Sequence, residues 1–328
     1  MLWDEVLTAL GQSRGYVSGA ELSRRFGVTR AGIHVTVERL REAGYEIVSA
    51  RKRGYRLLGG PDSLGIGDLA MHLPKERLAA VRCLKEVDST NRYLKELAEE
   101  GLPEGFTVIA DKQTKGRGRY GRFFASPAGD GLYLSMLLRN AGDPGALSDV
   151  TAYAAVATAK AIRRVTGICP DIKWVNDLQM HERKICGILT ELSLKAESAE
   201  VQSCVVGIGI NVRSGADFPE ELREIAGSIE GEYPDVRVRR AALAAALIEE
   251  LDRLREDFPS RKEEYLASYR ELCVTRGPVV LRDASGERKA LALGIDEDFS
   301  LLVEYPDGTR GSVRSGEVSA RKLPRSEP

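Results

Sequence analysis

The stretch Val201-Gln-Ser-Cys-Val-Val-Gly-Ile-Gly-Ile-Asn-Val212 constrains the fold more than any other part of the chain. An apolar run of this length reads as a strand buried on both faces, and such a strand belongs at the centre of a covered sheet. Gly207 and Gly209 remove two side chains from it and let another group come close to the backbone. Companion strands are expected over residues 81–87, 106–110, 132–139, 171–177 and 182–192. An alanine-rich helix over 147–165 is expected to pack against the sheet, with further helices near 240–255 and 259–270. Hairpins mixed with helices indicate an α+β domain.

Residues 1–60 follow another pattern. A helix over 2–11 ends at Gly11, and Ser18 caps a second one, with Glu21 three residues on as in a capping box. Gly27-Val28 turns the chain. Thr29 then caps a helix over 30–43 whose Ile33, Val37 and Leu40 share one face. Two short helices joined through a glycine turn have the shape of a helix-turn-helix, the later one being the reader. After Gly44 the period becomes two: Tyr45 and Ile47, the turn Arg51-Lys-Arg-Gly54, then Tyr55 and Leu57 make a wing with a basic tip. This segment holds ten Lys and Arg against six Asp and Glu, whereas the whole chain has a formal net charge of −1. Such a local excess suits phosphate, with Arg30, Arg39, Arg51, Lys52 and Arg53 as candidate DNA-binding residues. The alternative is a packing or dimerisation module with solvated charges. Leu58-Gly-Gly-Pro-Asp-Ser-Leu64 reads as a linker.

Between two of the expected strands lies Gln113-Thr-Lys-Gly-Arg-Gly-Arg-Tyr-Gly-Arg122. Its glycines permit close approach of the backbone to a ligand. Lys115, Arg117, Arg119 and Arg122 suit phosphate or carboxylate, because guanidinium forks bind oxyanions bidentately and stay charged. There is no Gly-Lys-Ser/Thr ending, so this is not a Walker loop. A solvated hairpin loop or a nucleic-acid patch is the competing reading. Ser89-Thr90-Asn91 opens a helix over 92–100, either as a donor-rich pocket for a polar group or as plain capping. Lys184 follows an Asn176-Asp177 turn. If that turn lines a pocket, Lys184 supplies fixed charge to a transferring phosphate or carboxylate; otherwise it is a solvated strand lysine.

At 328 residues the chain is expected to form two or three domains, divided as 1–60, 65–268 and 271–324. The last segment, with short β-type runs around the turn Pro306-Asp-Gly308, is expected to be a small β-barrel. Hydrophobic content of 43% and charged content of 30% describe an ordinary globular chain, so any DNA contact is local rather than global. Five scattered cysteines without a CxxC pair argue against a disulfide framework or zinc site and fit a reducing cytosol. The N-terminus is amphipathic rather than signal-like, and no apolar run is long enough to span a bilayer. A cytoplasmic protein with no membrane partner is expected.

Taken in order, five motifs carry a resemblance. Ser89-Thr-Asn91, Gln113 with Gly116-Arg-Gly-Arg-Tyr-Gly-Arg122, Lys173-Trp-Val-Asn-Asp177, Arg183-Lys184 with Gly187-Ile-Leu, and Gly207-Ile-Gly-Ile-Asn211 closely resemble those of biotin–protein ligases. With the winged head, the chain resembles the bifunctional members that also repress biotin operons, over about residues 5–321. Lipoate ligases share the central fold, but usually neither this loop nor the head.

The resemblance implies a central mixed α/β catalytic domain that joins biotin to ATP with Mg2+, forming biotinyl-5′-AMP. A lysine on the biotin carboxyl carrier domain of a carboxylase then takes the biotin. By position, Ser89, Thr90, Asn91, Gln113, Arg117, Gly118, Arg119 and Lys184 would bind biotin. Arg117, Gly118, Arg119, Arg122, Asn176 and Asn211 would bind ATP or the adenylate, with Lys184, Arg119 and Asp177 as the catalytic set and no protein-held metal. Operator DNA and a ligand-promoted homodimer are implied partners. Departures from the pattern are Val175 for proline and Phe123 or Phe124 for tryptophan. In the reader helix His34 replaces tryptophan, and Val35 and Glu38 replace lysines. The alternatives are a DNA-binding repressor that only senses its ligand, or a lipoate–protein ligase.

Overall fold

In the computed structural model, residues 2–139, 147–194, 201–215, 220, 224–283, 286–314 and 319–322 are described. The head consists of α1 (Leu2–Gly11), α2 (Gly19–Phe26) and α3 (Arg30–Glu42), followed by the hairpin β1 (Glu46–Ala50) and β2 (Gly54–Gly59). Ser18 and Thr29 cap α2 and α3, their hydroxyls accepting the Glu21 and Gly32 N–H groups at 3.1 Å. Gly27 sits at φ 66°, a left-handed turn that a Cβ would strain. Leu10, Leu22, Ile33, Val37, Leu40 and Ile47 close a core of their own. Gly54 is required where the wing meets the helices, since a Cβ there would lie 2.1 Å from the Val17 carbonyl.

The expected linker is an anchored strap rather than a tether. The Asp62 carboxylate accepts from the Arg240 backbone N–H at 2.7 Å, from Arg240 Nε at 3.0 Å and from Arg213 at 2.6 Å. Arg240, with its side chain 3% exposed, also reaches Asp111 at 2.5 Å. Tyr45 of the head donates to Asp68 at 2.8 Å, within the one-turn helix α4 (Ile66–Leu69). Another single turn, α5 (Lys75–Leu78), leads into the main sheet.

That sheet takes its strands from β3 (Val81–Val87), β4 (Thr107–Gln113), β5 (Gly131–Leu138), β6 (Asp171–Lys173), β7 (Asp177–Met180), β8 (Arg183–Leu194) and β9 (Val201–Asn211). Their order is β3-β4-β5-β9-β8-β7-β6, which puts the apolar β9 at the centre. Only β3 and β4 run parallel, because α6 (Thr90–Glu99) carries the chain back between them. Leu132, Leu134 and Met136 of β5 and Val206, Ile208 and Ile210 of β9 belong to the main core, with α7 (Leu147–Thr166) and α9 (Arg240–Asp257). The alternate residues Leu137 and Val205 join Leu94 of α6 in a smaller core on the opposite face. Between β9 and α9 comes the single turn α8 (Ile229–Glu232), and α10 (Lys262–Leu272) follows α9.

The C-terminal segment corrects one expectation. β10 (Gly277–Asp283), β11 (Gly286–Ile295), β12 (Leu301–Glu304), β13 (Arg310–Val313) and β14 (Ser319–Lys322) form a five-stranded antiparallel sheet in the order β13-β12-β11-β10-β14. Among the described residues it does not close: β13 and β14 are opposite edges, whereas a barrel pairs first strand with last. Its apolar face is covered by the catalytic half instead. Val279, Leu281, Leu301 and Val303 belong to the same core as α7 and α9. Trp174 donates its indole N–H to the Phe299 carbonyl at 2.9 Å, and the Phe299 ring lies 5.6 Å from that of Tyr269. No helix of the described residues is long and apolar enough to cross a membrane.

Candidate functional site

The face of the main sheet that carries α6 is floored by glycine. Gly209 pairs with Tyr133 on one side and Gly187 on the other, and Gly187 pairs with Asp177. In the next row Gly207 lies between Ser135 and Leu189. Because strand side chains alternate, these positions share one face and leave a shallow trough. Two groups enter it. A Cβ on Gly207 would lie 2.0 Å from Asn91 Oδ1, and one on Gly209 would lie 2.5 Å from the Phe124 ring. Phe124 therefore occupies the stacking position, while Phe123 is 63% exposed.

Ser89, Thr90 and Asn91 are buried at the start of α6. The Thr90 N–H and hydroxyl both donate to Gln113 Oε1, at 2.9 and 3.1 Å, and the Gln113 amide donates to Ser126 at 3.0 Å. Ser135 donates toward Thr90 and Asn91 at 2.8 and 2.6 Å. Asn91 in turn donates to Glu191 at 2.9 Å. Plain capping does not describe this, since the Ser89 side chain makes no cap bond. Thr90 and Asn91 are instead fixed beside the trough by Gln113, Ser135 and Glu191, which come from three different strands.

The glycine–arginine loop folds over the same region. Gly116 is buried, and a Cβ there would lie 2.3 Å from the Phe124 carbonyl. Arg117 pairs with Glu191 at 3.4 Å. Arg119, in a 3₁₀ turn at Arg119–Gly121, donates to Asn176 at 3.1 Å and lies over the Tyr120 ring. The Gly118 N–H donates to the Arg122 carbonyl at 2.7 Å, and Arg122 itself is exposed. Asn176 is pinned by donating to the Ile188 carbonyl at 2.8 Å. Lys184 and Asp177 form an ion pair at 2.6 Å, and a Cβ on Gly187 would lie 3.0 Å from the Lys184 ammonium. Lys184 thus stands at the trough rather than in open solvent. Asn211 takes a different position, buried and donating to the Gly227 carbonyl at 3.0 Å.

Two groups nearby are silent in acid–base terms. Burial pushes the Cys186 thiol far up, with Lys184 only partly offsetting it, so no thiolate forms there. Burial likewise raises the Tyr133 phenol, which stays protonated and donates to the Pro127 carbonyl at 3.0 Å. Ser135 and Glu191 were missed in reading the sequence. Their signal was polarity in otherwise apolar strands, at positions sharing a face with Gly207 and Gly187. The glycines let Phe124 and Asn91 lie directly on the sheet, and the Phe124 ring offers a face on which a flat apolar body can pack. The hydroxyl and amide groups at one end suit a neutral polar head, and the cations at the other suit an anion.

That division of labour is what a ligase needs when it activates an acid on a nucleotide. Residues 83–211 match the biotin/lipoate A/B protein ligase family, and residues 3–56 match a helix-turn-helix domain. The bifunctional ligase/repressor BirA of Bacillus subtilis (strain 168) is 34% identical over 299 residues, covering 90% of this chain and 91% of that protein. Its namesake from Escherichia coli (strain K12) is 32% identical over 318 residues, covering 96% of both. Among solved structures, the biotin protein ligase from Aquifex aeolicus in complex with biotin and ATP superposes with a TM-score of 0.64 at 30% identity. That match covers 74% of this chain and 99% of the Aquifex chain. The chain belongs to the biotin–protein ligase family, in the branch of bifunctional ligase/repressors that carry a helix-turn-helix head.

Proposed function

We propose that the chain activates biotin with ATP and transfers it to a lysine on the biotin carboxyl carrier domain of a carboxylase, and that it represses biotin genes as a ligand-promoted dimer. The biotin carboxylate attacks the α-phosphorus of ATP, the bond to the β-phosphate oxygen breaks, and pyrophosphate leaves. The acceptor amine then attacks the carbonyl carbon of the adenylate, loses a proton and expels AMP.

The observation that carries this reading is the polarity of the trough: neutral donors and acceptors at Thr90, Gln113 and Asn91 at one end, and cations at Arg119 and Lys184 by the Asn176–Asp177 turn at the other. In this reading Ser89, Thr90, Asn91 and Gln113 hold the ring system. Lys184 stabilises charge that develops on the carboxylate and phosphate oxygens, a role favoured by groups already fixed in place. Arg117, Gly118 and Arg119 cover the adenylate and keep water from a hydrolysable anhydride. Asn176 orients Arg119, and Asp177 orients Lys184. Arg122 meets the nucleotide from the loop's exposed side. Asn211 acts through the segment it holds.

Among the described residues no cluster of three or more His, Cys, Asp or Glu is placed to hold a metal. Mg2+ would accompany the ATP phosphates and offset their charge, and Asp177, held by Lys184 at 2.6 Å, would be the protein carboxylate beside it. We assign residues 1–60 to DNA binding, 65–268 to catalysis and 271–324 to the terminal sheet, with the protein acting in the cytoplasm. Exposed Arg30, Arg39, Arg51, Lys52 and Arg53 face operator phosphates in this reading.

The test is biotin-dependent exchange of labelled pyrophosphate into ATP, run beside lipoate. Exchange with biotin alone, lowered by about 100- to 1,000-fold in Lys184→Ala, is the expected result. Exchange with lipoate alone, or an unchanged rate in Lys184→Ala, would overturn the substrate or the residue assignment respectively. Sedimentation with and without biotin plus ATP tests the dimer, and equal association in both conditions would refute ligand promotion.

A further inference from the structure

Behind Lys184 lies a carboxylate that neither the trough nor the head uses. Glu232 ends α8, and its side chain is only 3% exposed. It forms an ion pair at 2.6 Å with Arg183, the first residue of β8, and stands 3.4 Å from Nδ1 of His181 in the β7–β8 connection, so both converge on it. The His181 ring also packs on Tyr233, 5.0 Å between centroids. A carboxylate this buried is strongly unfavourable unless paired, so the contact fixes both elements relative to each other.

The same carboxylate reaches a second support. Glu232 is packed against Gly227 so closely that a Cβ on that residue would lie 2.3 Å from Oε1. Gly227 donates its N–H to the Lys184 carbonyl at 2.9 Å, and Lys184 donates its own N–H to the Ile225 carbonyl at 3.1 Å. Asn211 holds Gly227 from the other side at 3.0 Å. The Lys184 backbone is therefore gripped by residues 225–227, and its chain neighbour Arg183 by Glu232. Neighbouring strand side chains point to opposite faces, so anchoring Arg183 behind the strand presents Lys184 to the front.

We propose that Glu232 is a positioning residue for adenylation: through Arg183 and the 225–227 segment it sets where the Lys184 ammonium stands. This rests on the role given above to Lys184. Displacing a charge-stabilising group by about 1 Å costs on the order of 100-fold in rate, whereas binding of the acceptor domain does not pass through this contact.

The experiment uses the full chain with Glu232→Gln and Glu232→Asp, each made alone and in a Lys184→Ala background. It reads kcat and KM for biotinyl-adenylate formation, KM for acceptor, and the thermal midpoint. The expected result for Glu232→Gln is a kcat lower by about 10- to 100-fold, partial recovery in Glu232→Asp, an unchanged acceptor KM and no further loss in the Lys184→Ala background. An equal fold-loss in both backgrounds would make Glu232 merely structural and overturn the inference. So would full activity of Glu232→Gln beside an inactive Lys184→Ala. Full activity of Lys184→Ala would remove the reading of Lys184 itself, and this inference with it.

Discussion

In the head, Arg30, Arg39, Arg51 and Lys52 stand exposed, whereas in the trough Arg119 and Lys184 already hold protein partners, Asn176 at 3.1 Å and Asp177 at 2.6 Å. The same residue types are thus prepared for different tasks. Solvated cations on long stems suit a phosphate lattice, where affinity comes from releasing counterions and no single geometry is demanded. Cations held by a neighbouring amide or carboxylate suit a reacting centre, where charge appears at one place and must be met without reorganisation. The head has one further contrast of its own. Glu38 pairs with Arg41 at 2.6 Å and lies 3.7 Å from His34, so part of the reader helix is neutralised internally.

The largest effect should come from the trough. Lys184→Ala is expected to lower adenylation by about 100- to 1,000-fold while leaving ligand-free DNA binding unchanged, measured by pyrophosphate exchange and by fluorescence anisotropy. A parallel loss in both assays would erase the distinction drawn here. Next comes the floor. Gly207→Ala puts a methyl within 2.0 Å of Asn91 and is expected to weaken biotin binding by about tenfold or more, read by titration calorimetry. The strap between the two regions follows. Asp62→Ala leaves the Arg240 side chain, 3% exposed, with fewer partners and should cost about 2 kcal/mol in urea unfolding.

Smaller effects belong to the head. Removing both Arg51 and Lys52 should flatten the log–log salt dependence of DNA binding by about two units, without altering pyrophosphate exchange. Val35→Lys, at a position 49% exposed, should steepen it by about one unit. An effect of either change on ligation would show that the two sets of cations are coupled rather than separate.

Local rules made much of this legible. The caps at Ser18 and Thr29, the turn at Gly27 and the central apolar β9 follow from residues close in sequence. Long-range pairings were not legible. Asp62 with Arg240 spans 178 positions, and no local pattern marks two charges that meet over such a distance. Glu232 likewise carries no local mark, because Arg183 and His181 reach it from a distant part of the chain. In the terminal segment the strands were readable, but closure was not. That depended on Trp174, Tyr269 and the main core covering the apolar face that a barrel would have turned inward. In the trough, Gly207 and Gly209 announced a close approach, yet only the strand register showed that Asn91 and Phe124 make it.

The most direct test of the central claim is mass spectrometry of a purified biotin-carrier domain after incubation with the full chain, ATP, Mg2+ and either biotin or lipoate. A single biotin on one acceptor lysine and no lipoyl product is the expected result. Tight biotin binding without labelling of the acceptor would contradict it and leave a ligand-sensing repressor in its place.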